Sequence, residues 1–304
     1  MVAIDLGSNT LRVVEMECST KSFGATYEKM VKTADGLVDS GIISSDALSR
    51  VVDAISESKK SIDFSSSIRA VATEAMRRAS NSRYILDQIY TQTGVKFEII
   101  SGSEEARLTL LAVDHRLGIL SGNSSSYLLI DIGGGSTELI FNYQDKKISK
   151  SFPIGILTIA QSYHTLEDID RALYLLMDDM IDFVDDIYSR YGRVDSFVAT
   201  AGTPTTIAAM KIGQTYTTYD PKEINGMELN SIDLDDALSH ILSLPSKKRE
   251  LLVGVGRSDL VTAGILIFKR LFDISGMPKC IVVDDGLREG VALDSCLGLY
   301  TDGI

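Results

Sequence analysis

Two stretches of the chain share one hydrophobic pattern: an apolar run closing on an acid, a glycine turn, then a second apolar run. They read IDLGSNTLRVV from Ile4 and IDIGGGSTELI from Ile130, an offset of 126 residues that sets Asp131 on Asp5 and Gly133 on Gly7. Each predicts a β-hairpin with a glycine-rich turn. After the first copy, the pattern predicts strands near 11–17 and 23–33 and a helix from Ser44 to Lys60 capped by Ser45. A strand at Ile68–Ala72, a helix at Ser82–Gln92, a strand at Lys96–Ile100 and a helix from Ser103 follow. After the second copy, strands are expected at 127–142 and 147–154 and helices at 156–163 and 167–190. A strand at Ser196–Thr200 leads to a polar excursion from Gln214 to Asn230, then helices at 233–243, 246–253 and 258–273. Strand Cys280–Asp284 and a last helix, Leu287–Leu297, complete the pattern.

A period of this size lies far above the roughly twenty to fifty residues of solenoid repeats, so each copy opens its own domain. The element order suits two α/β lobes with mixed sheets and a cleft between them. The small, polar residues 118–125 (GILSGNSS) are the candidate linker. The expected domains are therefore 1–122 and 123–293, with a C-terminal helix over 294–304 able to return to the first lobe.

The length of 304 residues and 44% hydrophobic content suffice for two cores. A net charge of −12 argues against charge-driven binding to nucleic acid or to an anionic membrane. Residues 161–190 hold eight acids and two bases. There, Leu173, Leu176, Met180, Val184 and Ile187 recur at helical spacing while the aspartates take the other side, which reads as a solvated helix face rather than a metal cluster. Cys18, Cys280 and Cys296 are odd in number and far apart, and none clusters with His115, His164 or His240. They are expected to be reduced, structural thiols in a cytoplasmic protein. The first strand begins at Val2, so no cleavable signal is expected, and no apolar run approaches membrane-spanning length.

Glycine turns let backbone N–H groups approach an anion closely, and a neighbouring carboxylate can hold a hard divalent cation. Facing each other, two such hairpins would grip one phosphate chain; taken singly, each is an ordinary turn whose glycines supply positive φ. Glu104 and Glu105 open a helix at a strand end, where acids complement the helix dipole and where one of them could instead activate water. Arg77 follows another strand end; it is either a surface arginine or a guanidinium matched to two phosphate oxygens. Gly202, in AGTP at Ala201–Pro204, forms a third strand-to-helix turn, either an anion cradle or a tight connection. GRSDLVTAG from Gly256 and DGLREG from Asp285 read as packing elements, with Ser258 as a cap and Gly264 permitting close helix approach.

Taken together, IDLGSNTLR, ATEAMRRASN, ISGSEEARL, LIDIGGGSTELI, SFPIGI, ATAGTPTTIAAM, VGRSDLVTAGILI and DDGLREG resemble, in order and spacing, the exopolyphosphatase and guanosine pentaphosphate phosphohydrolase family. The resemblance runs from about Ala3 to Leu293. It implies two ribonuclease-H-like lobes of the actin-like ATPase superfamily and release of terminal phosphate from polyphosphate, or conversion of pppGpp to ppGpp. By position, it implies that Glu105 orients and deprotonates the attacking water and that Arg77 faces the phosphate chain. Asp131 and Glu138 would hold Mg²⁺, while Gly133, Gly134, Gly135, Ser136 and Thr137 cradle the terminal phosphates with Ser8 and Asn9 opposite. Such chemistry rests on positioning and electrostatics and needs no covalent intermediate.

Two departures bear on substrate. Longer members carry additional C-terminal helical domains, so processive digestion of long chains is not expected here unless a homodimer extends the groove. After SFPIG, Thr158 stands where the family often has arginine. The rival readings are an actin-like ATPase or small-molecule kinase, and a non-catalytic sensor of guanosine tetraphosphate or polyphosphate.

Overall fold

The computed structural model describes residues 1–120, 126–254 and 256–299. Its elements begin β1 (Val2–Leu6), β2 (Thr10–Glu17), β3 (Ser22–Met30), α1 (Leu37–Ser40), α2 (Ser45–Ser58), β4 (Ile68–Ala72), α3 (Glu74–Arg78), α4 (Ser82–Thr93), β5 (Phe97–Ile99) and α5 (Gly102–Leu120). They continue with β6 (Tyr127–Ile132), β7 (Thr137–Tyr143), β8 (Lys146–Phe152), α6 (Ile156–Ser162), α7 (Leu166–Leu176), α8 (Asp178–Tyr191), β9 (Ser196–Thr200) and α9 (Gly202–Lys211). The last are α10 (Pro221–Ile224), β10 (Glu228–Leu229), α11 (Ser231–Ser243), α12 (Ser246–Val253), α13 (Ser258–Ser275), β11 (Cys280–Val282) and α14 (Leu287–Cys296).

The chain divides into two compact units: Met1–Asp114 with the segment from Asp285 onward, and His115–Asp284. These bounds replace 122 and 294. The expected linker begins inside a helix, because residues 118–120 continue α5, while 121–125 lie outside the described residues. All of α14 belongs to the first unit, because Leu287, Val291, Ala292 and Leu293 enter its core.

In the first unit a five-stranded sheet runs β3-β2-β1-β4-β5. The first three strands are antiparallel, and β4 and β5 continue parallel to β1. The second unit follows the same path as β8-β7-β6-β9-β11, with β10 added antiparallel at the outer edge. Both units are therefore ribonuclease-H-like, and the sequence repeat is a repeat of topology. The polar excursion from Gln214 supplies α10 and β10, and α11 and α12 follow it, so the second unit carries a longer insertion before its last strand than the first does. Strand β1 is buried along its whole length, as a strand covered on both faces must be. Asp5 is 6% exposed and thus stands out as a carboxylate placed in such a strand.

Several local expectations change. Ser44, not Ser45, caps α2: its extended backbone lets the hydroxyl accept from the Ala47 amide at 3.1 Å. The single helix expected over 167–190 breaks at Met177, which separates α7 from α8. With the register interrupted there, Leu176 turns outward while Leu173, Met180, Val184 and Ile187 stay buried. Ser258 begins α13 without capping it, since Arg257 occupies the cap position and no side-chain bond forms there. Gly264 does permit close approach: a Cβ there would lie 2.1 Å from Thr203 Oγ1 of α9.

Helix α14 is held to the first unit by three devices. A Cβ on Gly290 would lie 1.9 Å from the Leu108 carbonyl oxygen, so α14 meets α5 backbone to backbone. Asp294 is fully buried and pairs with Arg69 at 2.6 Å and Arg107 at 2.8 Å. Cys18, just past β2, and Cys296, at the end of α14, form a disulfide. This corrects the expectation of three reduced thiols: folding brings two distant cysteines to a Cα separation of 5.1 Å, within disulfide reach, which spacing along the chain does not reveal. Cys280 is a free, buried thiol whose pKa burial raises well above the ordinary range. Among the described residues no single helix is long and apolar enough to cross a membrane.

Gly290→Ala is expected to destabilise the first unit by about 1–3 kcal/mol, the usual cost of overpacking, because rigid backbone rather than a flexible side chain must give way. Chemical denaturation of parent and variant measures it, and equal midpoints would refute the close contact.

Candidate active site

The two glycine turns close in the same way. The Gly7 amide donates to the Thr10 carbonyl at 2.9 Å, and the Gly133 amide to the Ser136 carbonyl at 2.9 Å. None of Gly7, Gly133, Gly134, Gly135 or Gly202 has positive φ, so conformational freedom is not the reason for glycine in these turns. In the second turn space is a reason: a Cβ on Gly133 would sit 3.0 Å from the Ser136 oxygen, and one on the neighbouring Gly155 would sit 2.4 Å from the Gly134 oxygen, whereas at Gly7 the nearest contact would be an ordinary 3.4 Å.

In both units a following segment takes the carbonyls of the turn. In the first, Ala34 N donates to Ser8 O, and Val31 N and Lys32 N donate to Asn9 O. Arg50 fixes that segment from behind through the Val31 and Lys32 carbonyls, at 2.7 and 3.1 Å. In the second, Ile156 N and Leu157 N at the start of α6 donate to Gly133 O and Gly134 O. Among the described residues, the amides of Ser8, Asn9, Gly134 and Gly135 donate to no group of the chain. Ser8 and Asn9 are 3% and 7% exposed. A backbone turn with its acceptors satisfied and its donors available is an anion-binding arrangement.

The two copies differ opposite the aspartate. Strand register places Arg12 across from Asp5 but Glu138 across from Asp131. The first pair balances charge, whereas the second sets two carboxylates side by side, which is unfavourable unless a cation lies near. Glu138 is buried, and its Oε1 accepts from Ser136 Oγ at 2.8 Å and Ser151 Oγ at 2.6 Å. Thr137 is turned away from this group, its hydroxyl donating to the Ile154 carbonyl. Among the described residues no three His, Cys, Asp or Glu side chains converge on a point. Asp131 and Glu138 supply oxygen ligands of the kind a hard divalent cation takes, fewer than a closed protein cage needs.

The adjacent acids of α5 go to different partners. Glu104 pairs with Arg107 at 2.7 Å and lies 3.7 Å from Arg69, so it belongs to the network around Asp294. Glu105, 8% exposed, receives Arg77 Nη1 at 2.8 Å. Arg77 also donates through Nη1 to the Ile100 carbonyl at 2.9 Å, and through Nε and Nη2 to Glu74 Oε2 at 3.0 and 2.9 Å. Four hydrogen bonds leave one of its five N–H groups for another acceptor, so a two-oxygen grip on phosphate is not available from this position. Burial opposes the Arg77 charge, but Glu105 and Glu74 outweigh it and raise its pKa.

Gly202 opens α9 after Ala201, whose φ of 75° is uncommon for a residue with a side chain. A Cβ on Gly202 would approach Arg257 Nη2 at 3.1 Å, so this turn packs tightly within the second unit. Thus Ser8, Asn9, Arg77 and Glu105 lie in the first unit, and Asp131, Gly133, Gly134, Gly135, Ser136, Thr137, Glu138 and Gly202 in the second. The sequence reading passed over Glu74 and Ser151. The spacing of Glu74 and Arg77, one helical turn apart, could have pointed to the first; Ser151 is the cross-strand partner of Glu138, which only the register discloses.

A model of the Ppx/GppA phosphatase family matches residues 25–298. The chain belongs to this family. Among curated proteins, the Ppx/GppA chain is similar to Exopolyphosphatase 2 of Mycobacterium tuberculosis, 24% identical over 96% of this chain and 97% of that protein. It is also similar to Exopolyphosphatase 1 of Mycobacterium leprae, 27% identical over 95% and 87% of the respective chains. Among solved structures, the Aquifex aeolicus Ppx/GppA family member matches with a TM-score of 0.73 and 28% identity, covering 99% of this chain and 98% of that one. An exopolyphosphatase from Cytophaga hutchinsonii shares the fold, with a TM-score of 0.83 at 20% identity, over 98% and 97%.

Proposed function

We propose that this Ppx/GppA phosphatase releases orthophosphate from the end of an oligophosphate, either inorganic polyphosphate, pppGpp, or both, with Mg²⁺ as cofactor. The observation that carries the reading is the shared construction of the two turns, in which carbonyls are satisfied by the chain and amides are left for an anionic ligand. Curated relatives named as exopolyphosphatases support the same chemistry.

In this reading Glu105 orients a water and accepts its proton as the water oxygen attacks the terminal phosphorus. The bond from that phosphorus to the bridging oxygen breaks, and the shortened chain leaves with the electron pair. Arg77 holds the Glu105 carboxylate in place. The amides of Ser8, Asn9, Gly134 and Gly135 bind phosphate oxygens, while the Ser136 hydroxyl stays on Glu138. Asp131 and Glu138 would hold Mg²⁺, which supplies charge neutralisation on the phosphates when bound.

The test is orthophosphate release from medium-chain polyphosphate, long-chain polyphosphate, pppGpp and ATP, measured side by side with Mg²⁺. Release from at least one of the first three, well above ATP, is expected. Turnover of ATP alone would establish the ATPase or kinase reading instead, and tight binding of polyphosphate without turnover would establish the sensor.

A further inference from the structure

Arg77 is held on two sides by acids of different elements. Glu74, the first residue of α3, takes Nε and Nη2 on a single oxygen, and Glu105 of α5 takes Nη1. The Ile100 carbonyl, at the end of β5, fixes the remaining direction of Nη1. A guanidinium is planar, so contacts at Nε and Nη2 on one edge determine where Nη1 points on the other. All three side chains are largely withdrawn from solvent, with side-chain exposures of 16% for Glu74, 19% for Arg77 and 11% for Glu105.

We propose that Glu74 is a positioning residue for Glu105, acting through Arg77. The inference rests on the assignment of Glu105 as general base. Its carboxylate approaches from the edge of the guanidinium opposite the one aimed at Glu105, so Glu74 sets the plane of Arg77, and that plane sets the Glu105 oxygen that meets water. An exposed acid at the start of a short helix would do no more than complement the N-terminal dipole. Glu74 instead directs both contacts at one arginine, which in turn holds the base.

The test is steady-state orthophosphate release from medium-chain polyphosphate by the parent, Glu74→Ala, Glu74→Gln, Arg77→Ala and the Glu74→Ala/Arg77→Ala double variant, with Tm measured for each. Glu74→Ala is expected to lower kcat about tenfold or more while KM stays within about twofold, because a misplaced base slows chemistry without weakening ground-state binding. Glu74→Gln keeps an acceptor oxygen and is expected to recover most of the loss. In the Arg77→Ala background, removing Glu74 is expected to cost less than about twofold further, as residues acting through one another are not additive.

A fall in Tm with unchanged kcat would overturn the positioning role and leave Glu74 as a stabilising residue. A rise in KM alone, or full additivity in the double variant, would overturn it in favour of direct substrate contact. If Glu74→Ala fails to fold, Glu74→Leu, which fills the space without an acceptor, carries the test: a tenfold loss at unchanged KM, absent from the Arg77→Ala background, supports the proposal, and parental kcat overturns it. A parent silent on polyphosphate and on pppGpp would overturn the general-base assignment itself, an outcome distinct from an active parent with an indifferent Glu74.

Discussion

Glu105→Gln is expected to leave ligand binding intact and to slow orthophosphate release by about a hundredfold or more, the scale set by loss of a general base. Glutamine has the same shape, and its amide oxygen still accepts from Arg77 Nη1, which lies 2.8 Å from the carboxylate it replaces. What disappears is the ability to take a proton from water. Glu104→Gln is the matched control. Its carboxylate pairs with Arg107 and lies near Arg69, so the change is expected to lower stability and leave kcat near the parental value. Single-turnover assays under saturating ligand, with binding measured by calorimetry, separate the two. Comparable turnover by Glu105→Gln and the parent would remove Glu105 from the role, and a larger kinetic loss in Glu104→Gln would exchange the two acids.

Asp131→Asn is expected to raise the Mg²⁺ concentration for half-maximal turnover at least about tenfold, since a ligand is weakened where even supporting groups matter on that scale. The strand register adds a prediction with an unusual sign. Asp131 lies opposite Glu138 across the β6–β7 hairpin, so neutralising it relieves repulsion between like charges when the metal is absent. With chelator present, the variant is expected to melt no lower than the parent. With Mg²⁺ and a phosphate ligand, the parent is expected to gain stability and the variant to gain little, because a cation that binds only the folded state stabilises it by mass action. Equal Mg²⁺ titrations for both proteins would dismiss Asp131 as a ligand.

Much of the fold could be read from the sequence because two physical signals recur. Apolar runs of strand length fix β1 and β6, and the 126-residue offset survives into three dimensions as the same turn closure at Gly7 and Gly133. Helix ends were less legible. Ser44 and Ser45 are equally good caps by residue type, and only the extended backbone at Ser44 selects between them. Met177 is an unremarkable helix residue by type, yet it is where α7 gives way to α8.

Within the candidate site, residue types were readable but their partners were not. Nothing in the SGSEEA run distinguishes Glu104 from Glu105 by its own chemistry; the difference arises because Arg107 and Arg69 lie toward one and Arg77 toward the other. Likewise, the doubly acidic pair of the second turn depends on which residue faces Asp131 across the hairpin. The Cys18–Cys296 link was hidden for the same reason, since the two residues are 278 positions apart and meet only through α14.

The return of α14 also decides the order in which the molecule can assemble. A nascent chain leaving the ribosome presents β1 to β5 first, but the sheet face formed by Ala3, Val14, Met16 and Val71 has only Leu108 and Ala112 of α5 against it until Leu287, Val291 and Leu293 emerge. The later unit is continuous from His115 to Asp284 and has all of its own residues before then. Completion thus runs against the direction of translation, with the unit begun first finished last. An early stop ahead of Leu287 would leave one face of the opening strands only partly covered, an apolar surface open to chaperones and proteases.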